Sequence, residues 1–336
     1  MDLLTQGILG ATLAQAGAPS RDARVAAGVG FGAGLLADAD ALIQSGQDPL
    51  LVLEYHRHFT HALAFIPVGA LVAAALLWPF LRRRLSFPRL YLYAFLGYAL
   101  AGVLDACTSY GTHLLWPFSD ERIAWSIIAI VDPVFTLLLL VPLGIGWWRR
   151  RPAVARAGLV LAALYLALGV VQHQRALEAA RELAASRGHR PERLIVKPTL
   201  ANLILWRSVY VDGTTAHADG VRVGLPGSVT VYPGEKAVLV DASRPLPAAP
   251  AGSRALADVQ RFVRFADGYA AVHPTRPLVI GDVRYGMLPT SVTPLWGIEL
   301  DAANPEAHAR FVTERTLTPA TRQRFVDMLL GRDPKD

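Results

Sequence analysis

Long stretches of the chain carry almost no charged side chain. Four of them are residues 59–81, 90–119, 123–148 and 157–174. The second and third contain one acid each, Asp105 and Asp132, and the other two contain no Asp, Glu, Lys or Arg. Because about 20 apolar residues cross the hydrocarbon core of a bilayer as a helix, each stretch predicts a membrane span. Residues 25–43 are also apolar but contain Asp38 and Asp40 near their end, and we interpret them as the first of about five spans.

Arginines beside these spans predict how the chain crosses the membrane. One group lies between two spans and another lies between the next two: Arg82, Arg83, Arg84 and Arg89, then Arg149, Arg150, Arg151 and Arg156. Basic loops stay on the cytoplasmic side, which places the N-terminus inside and the chain after about residue 174 outside. In a Gram-negative bacterium this is a multi-pass inner-membrane protein with a periplasmic C-terminal domain. The acidic start at Asp2 lacks the basic region of a signal peptide, so we expect the N-terminal segment to be retained.

The rest of the chain has a different pattern. A polar run with helical spacing, residues 176–190, precedes short segments such as RLIVKP, LILWRSVYVDG and VRVGLPGSVTVYPG. Alternation of apolar and polar residues in these segments predicts strands. We therefore predict a mostly α protein, with a polytopic helical membrane domain over residues 1–174 and a small soluble α+β domain over residues 175–336 on the outer side.

The composition agrees with a membrane protein. Of the 336 residues, 53% are hydrophobic and 18% are charged, and the mean hydropathy of +0.33 argues against a purely soluble enzyme. The net charge of +6 follows from the arginine loops, so we expect the lipid bilayer as a partner and no nucleic acid. The single cysteine, Cys107, excludes both an intramolecular disulfide and a zinc site built from several cysteines.

Three groups of acids and histidines fall on the predicted outer side of the membrane. They are Asp38 and Asp40; Glu54, His56, His58 and His61; and Asp105. Carboxylates near apolar spans are costly unless they are paired, hydrated or bound to a cation, so they often mark functional sites. Imidazole and carboxylate ligands together suit a divalent metal ion, with Zn or Mn as the best match. On a helix His58 and His61 share a face, whereas His56 reaches His61 only across a bend.

Each group also has a purely structural interpretation, and the spacing does not choose between the two. Asp38 and Asp40 face apart on an α-helix, so the pair is more natural where a helix ends. The histidines can be interfacial anchors, with Arg57 near the lipid headgroups. Asp105 can be a buried acid that a nearby hydroxyl caps, and Asp132 can satisfy backbone groups that a proline frees.

Several separated motifs in the first part of the chain occur in a characteristic order. They are MDLLTQGILGA, LLADADAL, EYHRHFTHALAF, LDACTSYGTHLLWPFSDERIAW and IVDPVFT. Together they resemble the YdjM-like family of bacterial inner-membrane proteins, which are described as membrane-bound metal-dependent hydrolases. The resemblance covers roughly the first 150 residues and implies a helical membrane domain with a divalent-metal site. The family is similar in outline to zinc-dependent phospholipase C-like helical enzymes, which is an analogy of fold alone.

The resemblance also implies a set of metal ligands. Carried over position by position, the set is Asp38, Asp40, His56, His61 and Asp105. Two positions depart from the family pattern, because many relatives have histidine where this chain has Gln6 and Ala101. The departures imply a one-metal site, a weakened site or an inactive member of the family.

The leading hypothesis is a metal-dependent hydrolase. Its ligands hold one or two divalent ions, and its substrate is a phosphoester or lipid-like molecule at the outer membrane–water interface. The metal lowers the pKa of a bound water toward about 7. Asp40 or Glu54 then serves as the general base, and Arg57 neutralises an anionic substrate or transition state.

Two other functions stay open at this stage. The first is a non-enzymatic membrane scaffold or envelope-stress protein with a structural or degenerate metal site. Gln6, Ala101 and the lack of catalytic motifs after residue 175 favour it. The second is a transporter in which Asp132 and the acid pair line an ion path, which is weaker because the spans show no evident repeat.

Overall fold

Apolar helices dominate the first part of the computed structural model, which describes residues 1–225 and 227–333. In chain order they are α1 (Leu3–Gly17), α2 (Ala23–Leu36), α3 (Leu51–Tyr55), α4 (Ile66–Leu81), α5 (Phe87–Tyr98), α6 (Ala101–Ala106), α7 (Pro133–Arg149) and α8 (Pro152–Ser186). A 3-10 helix, Ala37–Leu42, continues α2 directly. Two short 3-10 turns, Phe59–His61 and Leu63–Phe65, precede α4.

Four helices of the described chain are long and apolar enough to cross a membrane. They are Ala23–Leu42, Leu63–Leu81, Phe87–Ala106 and Pro152–Ser186. The predicted helical membrane domain is confirmed, with four such helices where the sequence predicted about five. The remaining predicted span becomes α7, a shorter apolar helix of 17 residues. It begins late because the Asp132 carboxylate accepts a hydrogen bond from the N–H of Phe135 at 3.0 Å and so caps the helix at Pro133.

The described residues form two compact units. The first, which we name the helical unit, contains Met1–Ile43, Tyr55–Val171 and Leu200–Asn202. The second, which we name the sheet unit, contains Gln44–Glu54, Gln172–Thr199 and Leu203–Asp336. Residues 44–54 therefore lie among helical-unit residues in sequence and belong to the sheet unit in space.

Glycines let three helices of the helical unit pack with their backbones in contact. A Cβ atom on Gly30 of α2 would lie 2.3 Å from the carbonyl oxygen of Gly10 in α1. A Cβ atom on Gly97 of α5 would lie 2.5 Å from the Cα atom of Gly30. Small residues permit this approach between membrane helices, which have little hydrophobic drive to associate in lipid. As a result α1 is buried along most of its length, and its polar Gln6 lies inside the unit.

The strands of the described chain form two antiparallel sheets in the sheet unit. The elements are β1 (Arg193–Pro198), β2 (Leu205–Asp212), β3 (Thr215–Val223), β4 (Val229–Tyr232), β5 (Lys236–Val238), α9 (Arg254–Phe265), β6 (Ala270–His273), β7 (Arg276–Asp282), β8 (Trp296–Glu299), β9 (Arg310–Thr313) and α10 (Pro319–Leu330). One sheet has the order β1-β2-β3-β4 with β5 paired to β3, and the other has the order β6-β7-β8-β9. The predicted small α+β domain after the helices is confirmed.

An apolar core joins α9 to the second sheet. Val259 and Phe262, three residues apart on α9, are buried in the same cluster as Ile280 of β7. Leu50 and Leu53 complete this cluster and are 2% and 9% exposed. The segment that lies between the two predicted groups of site residues is thus part of the sheet unit's core.

The glycine contacts generate a first prediction. Gly30→Ala should destabilise the helical unit by about 1–3 kcal/mol, because its new methyl group overlaps the α1 backbone. Gly28→Ala on the same helix is the matched control, since a Cβ atom there has no described atom within 4 Å. Thermal unfolding of both variants in detergent checks the difference. Equal melting temperatures for the two variants would contradict the packing.

Candidate metal centre

Helix ends bring the predicted acids and histidines together in the helical unit. Asp38 and Asp40 lie in the 3-10 helix that ends α2, His61 closes the turn Phe59–His61, and Asp105 lies in α6. All four side chains are buried. Two groups among the described residues have ligand atoms within 4.8 Å of one another: Asp38, His61 and Asp105; and Asp38, Asp40 and His56. A buried Asp/His cluster able to hold a metal ion is therefore present.

The imidazole of His61 lies at the middle of the cluster. Its Nε2 atom is 3.0 Å from Asp105 Oδ2 and 3.4 Å from Asp38 Oδ1, and its Nδ1 atom is 3.2 Å from Asp40 Oδ2. Burial by itself lowers the pKa of His61, but the three carboxylates outweigh burial and raise that pKa to about 10. A divalent cation would replace the imidazolium proton as the positive partner of these carboxylates.

Four buried atoms of this cluster lack a hydrogen bond within residues 1–225 and 227–333. They are His61 Nε2, Asp38 Oδ2, Gln6 Oε1 and Arg57 Nε, and the two nitrogens lie at ion-pair distance from Asp105 Oδ2. Buried polar atoms almost always have a partner, so each such atom calls for an explanation. Among these atoms, an imidazole nitrogen and a carboxylate oxygen next to a second carboxylate are of the types that bind a divalent metal ion.

Asp40 has a different environment from Asp38. Its Oδ2 atom accepts hydrogen bonds from the backbone N–H of Arg57 at 2.7 Å and from the hydroxyl of Thr60 at 2.6 Å. Its Oδ1 atom is 3.2 Å from His56 Nδ1, and Oδ2 is also near His61 Nδ1. A carboxylate in contact with the second nitrogen of a histidine fixes the orientation of that ring. Asp40 therefore orients both histidines of the cluster.

Arg57 lies inside the cluster and is 5% exposed. Its Nε atom is 3.2 Å from Asp105 Oδ2, and its guanidinium donates to the Thr108 hydroxyl and to the carbonyl oxygen of Met1. Its backbone has a left-handed φ of 59°, which bends the chain between the two histidines. His56 and His61 do not share a face of a helix, so we predicted that a bend is needed to bring them together. Arg57 provides this bend.

Asp105 has several partners besides Arg57. Its Oδ2 atom accepts a hydrogen bond from the amide of Gln6 at 2.8 Å, and its Oδ1 atom contacts the Met1 ammonium group. Sequence reasoning named Gln6 as a departure from the family pattern, and the structure places this residue directly beside Asp105. The partner of Asp105 in α1 is thus an amide, in place of the histidine that the resemblance implied for many relatives.

The remaining candidates lie elsewhere. Glu54 belongs to the sheet unit, where its Oε1 atom accepts a hydrogen bond from Arg261 Nε at 2.8 Å. The ring of His58 packs against the ring of His113, with 4.5 Å between their centroids. Burial lowers the pKa of both histidines, that of His113 to about 4. Asp132 caps α7, as its structural interpretation proposed.

Sequence reasoning assigned no role to three residues that shape the centre, Thr60, Tyr98 and Gly102. Thr60 donates to Asp40, and the Tyr98 hydroxyl in turn donates to the Thr60 carbonyl oxygen at 2.7 Å. Gly102 of α6 lets that helix approach the turn, since a Cβ atom there would lie 2.0 Å from the carbonyl oxygen of His61. The only signal in the sequence is a glycine three residues before Asp105, which does not reveal the contact.

Residues 1–176 match the family described as YdjM inner membrane protein. The chain belongs to this family. This match confirms the family that the sequence motifs resemble. The family description and the apolar helices together indicate that the chain lies in a lipid bilayer.

A relative of this YdjM family chain is Uncharacterized protein YfhP of Bacillus subtilis (strain 168). The two are 28% identical over 178 residues, which are 52% of this chain and 52% of the relative. The chain thus spans about half the length of the relative that it matches. No solved structure matches it.

The close approach of α6 to the backbone of His61 generates a second prediction for this YdjM family chain. Gly102→Ala should displace the His61 backbone and weaken Zn²⁺ binding about tenfold, the size of effect seen when residues that orient metal ligands are changed. Gly144→Ala is the control, because a Cβ atom there meets no described atom within 4 Å. Competition with a chromophoric zinc chelator measures both affinities. Unchanged affinity in a folded Gly102→Ala protein would show that this contact does not shape the centre.

Proposed function

We propose that this chain is a membrane-bound metal-dependent hydrolase whose ion is held by Asp38, His61 and Asp105. The observation that carries the proposal is that His61 Nε2 and Asp38 Oδ2, two of the four buried cluster atoms without hydrogen bonds in the described residues, are both of a metal-ligating type. Both belong to the group whose ligand atoms lie within 4.8 Å of one another. Zn or Mn suits this mixture of imidazole and carboxylate donors.

Asp40 and His56 take supporting roles in this proposal. Both Asp40 oxygens already have hydrogen-bond or ionic partners, which favours an orienting role over that of a free general base. His56 is oriented by Asp40 and its side chain is 28% exposed, so it can accept a proton from a water that enters from solvent. Glu54 is less suited to this step because its carboxylate pairs with Arg261.

The proposed chemistry is hydrolysis. A divalent ion in this position supplies Lewis acidity, which acidifies water and polarises the bond to be cleaved. Arg57 holds Asp105 in place through its guanidinium and adds positive charge for an anionic substrate or transition state.

The positions of the ligands along the spans support a site near the membrane surface. Asp38 lies near the C-terminal end of the span Ala23–Leu42, and Asp105 lies near the C-terminal end of the span Phe87–Ala106. His61 comes just before the N-terminal end of Leu63–Leu81. If these consecutive spans alternate in direction, all three ends fall on one side. We propose that this is the outer side, with the N-terminus inside. Counting the shorter apolar helix α7 as a fifth crossing, we propose that the C-terminal domain lies in the periplasm and that the substrate is a phosphoester or lipid-like molecule at headgroup depth.

One observation favours the non-enzymatic alternative. Asp40 and Asp105 have protein donors already, so an ionic cluster of Arg57, His61 and these acids can be stable without a metal. If the chain is a scaffold with such a cluster, His61→Ala should lower the melting temperature, and added Zn²⁺ or Mn²⁺ should leave the melting temperature of the wild type unchanged. The hydrolase predicts a metal-dependent rise in the melting temperature of the wild type.

Hydrolysis assays provide the third prediction. The full chain purified in detergent and supplied with Zn²⁺ or Mn²⁺ should cleave an aryl phosphodiester or a phospholipid in mixed micelles, and a chelator should remove the activity. Asp38→Asn should reduce the rate at least about a hundredfold, because it removes a charged ligand. Asp132→Asn is the matched control, since Asp132 is also buried and caps α7 with an oxygen that asparagine retains. Equal rates in wild type and Asp38→Asn would exclude the proposed site.

A further inference from the structure

Two histidines of the helical unit that the proposed centre does not use have their rings in contact. His58 directly precedes the turn Phe59–His61, and His113 lies in the loop between α6 and α7. The centroids of the two rings are 4.5 Å apart, and the ring planes are tilted by 39°. Both residues belong to the helical unit and lie outside its four candidate spans. The fold of this unit therefore joins two imidazoles that are far apart in sequence.

Backbone hydrogen bonds hold the two segments that carry these rings. The N–H of His113 donates to the carbonyl oxygen of Arg57 at 3.2 Å, and the N–H of Leu63 donates to the carbonyl oxygen of Leu114 at 3.0 Å. His58 lies between the two points of attachment on its own segment. The contact between the rings is thus set by the backbone, and it does not depend on two freely moving side chains.

Each ring has a nitrogen that calls for a partner. The Nδ1 atoms of His58 and His113 are both buried and have no hydrogen bond to any residue that the structure describes. Buried polar atoms almost always have a partner. The ring of Trp116 meets the ring of His58 edge-on at 5.8 Å, and such aromatic packing explains why the rings are buried here. It does not satisfy the two nitrogens, which indicates a ligand that both rings share.

The charge state of the two rings suits a metal ion. Burial lowers the pKa of both, that of His113 to about 4, so both imidazoles are mostly neutral at pH 7, as metal ligands must be. The negative charge of Asp120 raises both pKa values, and the positive charge of Arg122 lowers both. The guanidinium of Arg122 lies over the ring of Tyr110, 5.0 Å from its centroid. A carboxylate therefore faces the pair and offsets the charge of the arginine.

The separation of the rings fits two imidazoles on one ion. With metal–nitrogen bonds of about 2 Å, two rings at neighbouring positions of a square-planar ion have centroids roughly 4.5 Å apart, and two rings on a tetrahedral ion roughly 5 Å apart. The observed 4.5 Å matches the square-planar arrangement, which Cu²⁺ and Ni²⁺ favour. Of the divalent first-row metals, Cu²⁺ also has the highest affinity for nitrogen ligands.

We propose that His58 and His113 form a second metal site, separate from the proposed centre, that binds Cu²⁺ through their two Nδ1 atoms. Water or the exposed carboxylate of Asp120 completes the coordination. The inference does not depend on the proposed hydrolase, because the two sites share no ligand. Zn²⁺ and Mn²⁺ bind such a pair more weakly than Cu²⁺, so both ions should leave it when unbound metal is removed.

The test uses the metal-free full chain in detergent, with Cu²⁺ alone as the probe. Electron paramagnetic resonance should show a tetragonal Cu²⁺ signal with two imidazole nitrogens, both in the wild type and in folded His61→Ala. His58→Phe and His113→Phe each keep a ring and remove one ligand. Each should weaken Cu²⁺ binding, measured against a competing chelator, at least about tenfold, since the loss of a residue that only orients a ligand already costs about 10–100-fold.

His217→Phe is the matched control. The ring of His217 also lies against a histidine, with 4.7 Å between its centroid and that of His189. In that pair, however, Nδ1 of His189 lies 2.8 Å from the hydroxyl of Tyr210 and so has a hydrogen-bond partner. His217→Phe should therefore bind Cu²⁺ like the wild type.

The outcomes separate this inference from the proposed function. A wild-type signal with fewer than two imidazole nitrogens, wild-type affinity in folded His58→Phe and His113→Phe, or an equal loss in His217→Phe would overturn the second site. Loss of Cu²⁺ from folded His61→Ala with binding kept in His58→Phe would also overturn it, because the copper would then lie in the proposed centre. A wild type that binds Cu²⁺ at the pair but no Zn²⁺ would contradict the proposed function alone.

Size exclusion and melting temperature establish folding for each variant. If neither phenylalanine variant folds, the number of imidazole nitrogens in the spectrum of folded His61→Ala decides, because that measurement leaves both rings in place.

Discussion

The need to neutralise three buried carboxylates determines the arrangement of the helical unit around its centre. Asp38, Asp40 and Asp105 lie within one cluster and are each less than a tenth exposed. A carboxylate at this depth is stable only when cations or hydrogen-bond donors surround it. The protein supplies Arg57, His61 and several backbone and hydroxyl donors, and His61 Nε2 and Asp38 Oδ2 are among the cluster atoms that have no hydrogen bond in the described residues. A divalent ion at these two atoms would complete the neutralisation.

Helix ends and small residues make this arrangement possible. The α-helical geometry of α2 ends at Leu36, so both acids of LLADADAL lie on a final 3-10 turn. Gly102 removes the side chain that would keep α6 away from His61. The glycine contacts between α1, α2 and α5 bury the helix that carries Gln6, so its amide reaches Asp105. The packing of the helices and the chemistry of the centre therefore depend on the same close approaches.

Much of this could be predicted from local sequence. Runs without charged residues predicted the spans, and alternation of apolar and polar residues predicted the strands. The motifs identified Asp38, His61 and Asp105 as candidate ligands. Each of these signals lies within a short stretch of chain. Features that depend on distant contacts could not be predicted. Glu54 was a reasonable general base by its position near the histidines, yet its partner Arg261 is 207 residues away in sequence. Asp40 resembled a ligand by type, and only its contacts with Arg57, Thr60 and the histidines indicate an orienting role.

The metal content of the purified chain tests the central claim most directly. Element-resolved mass spectrometry of wild type, Asp38→Ala and His61→Ala follows supplementation with Zn²⁺ or Mn²⁺ and removal of unbound metal. It compares the centre with and without these two buried ligands. We expect about one ion per chain in the wild type and none in either folded variant. A wild type that retains no metal, or variants that retain as much as the wild type, would contradict a metal centre at Asp38, His61 and Asp105.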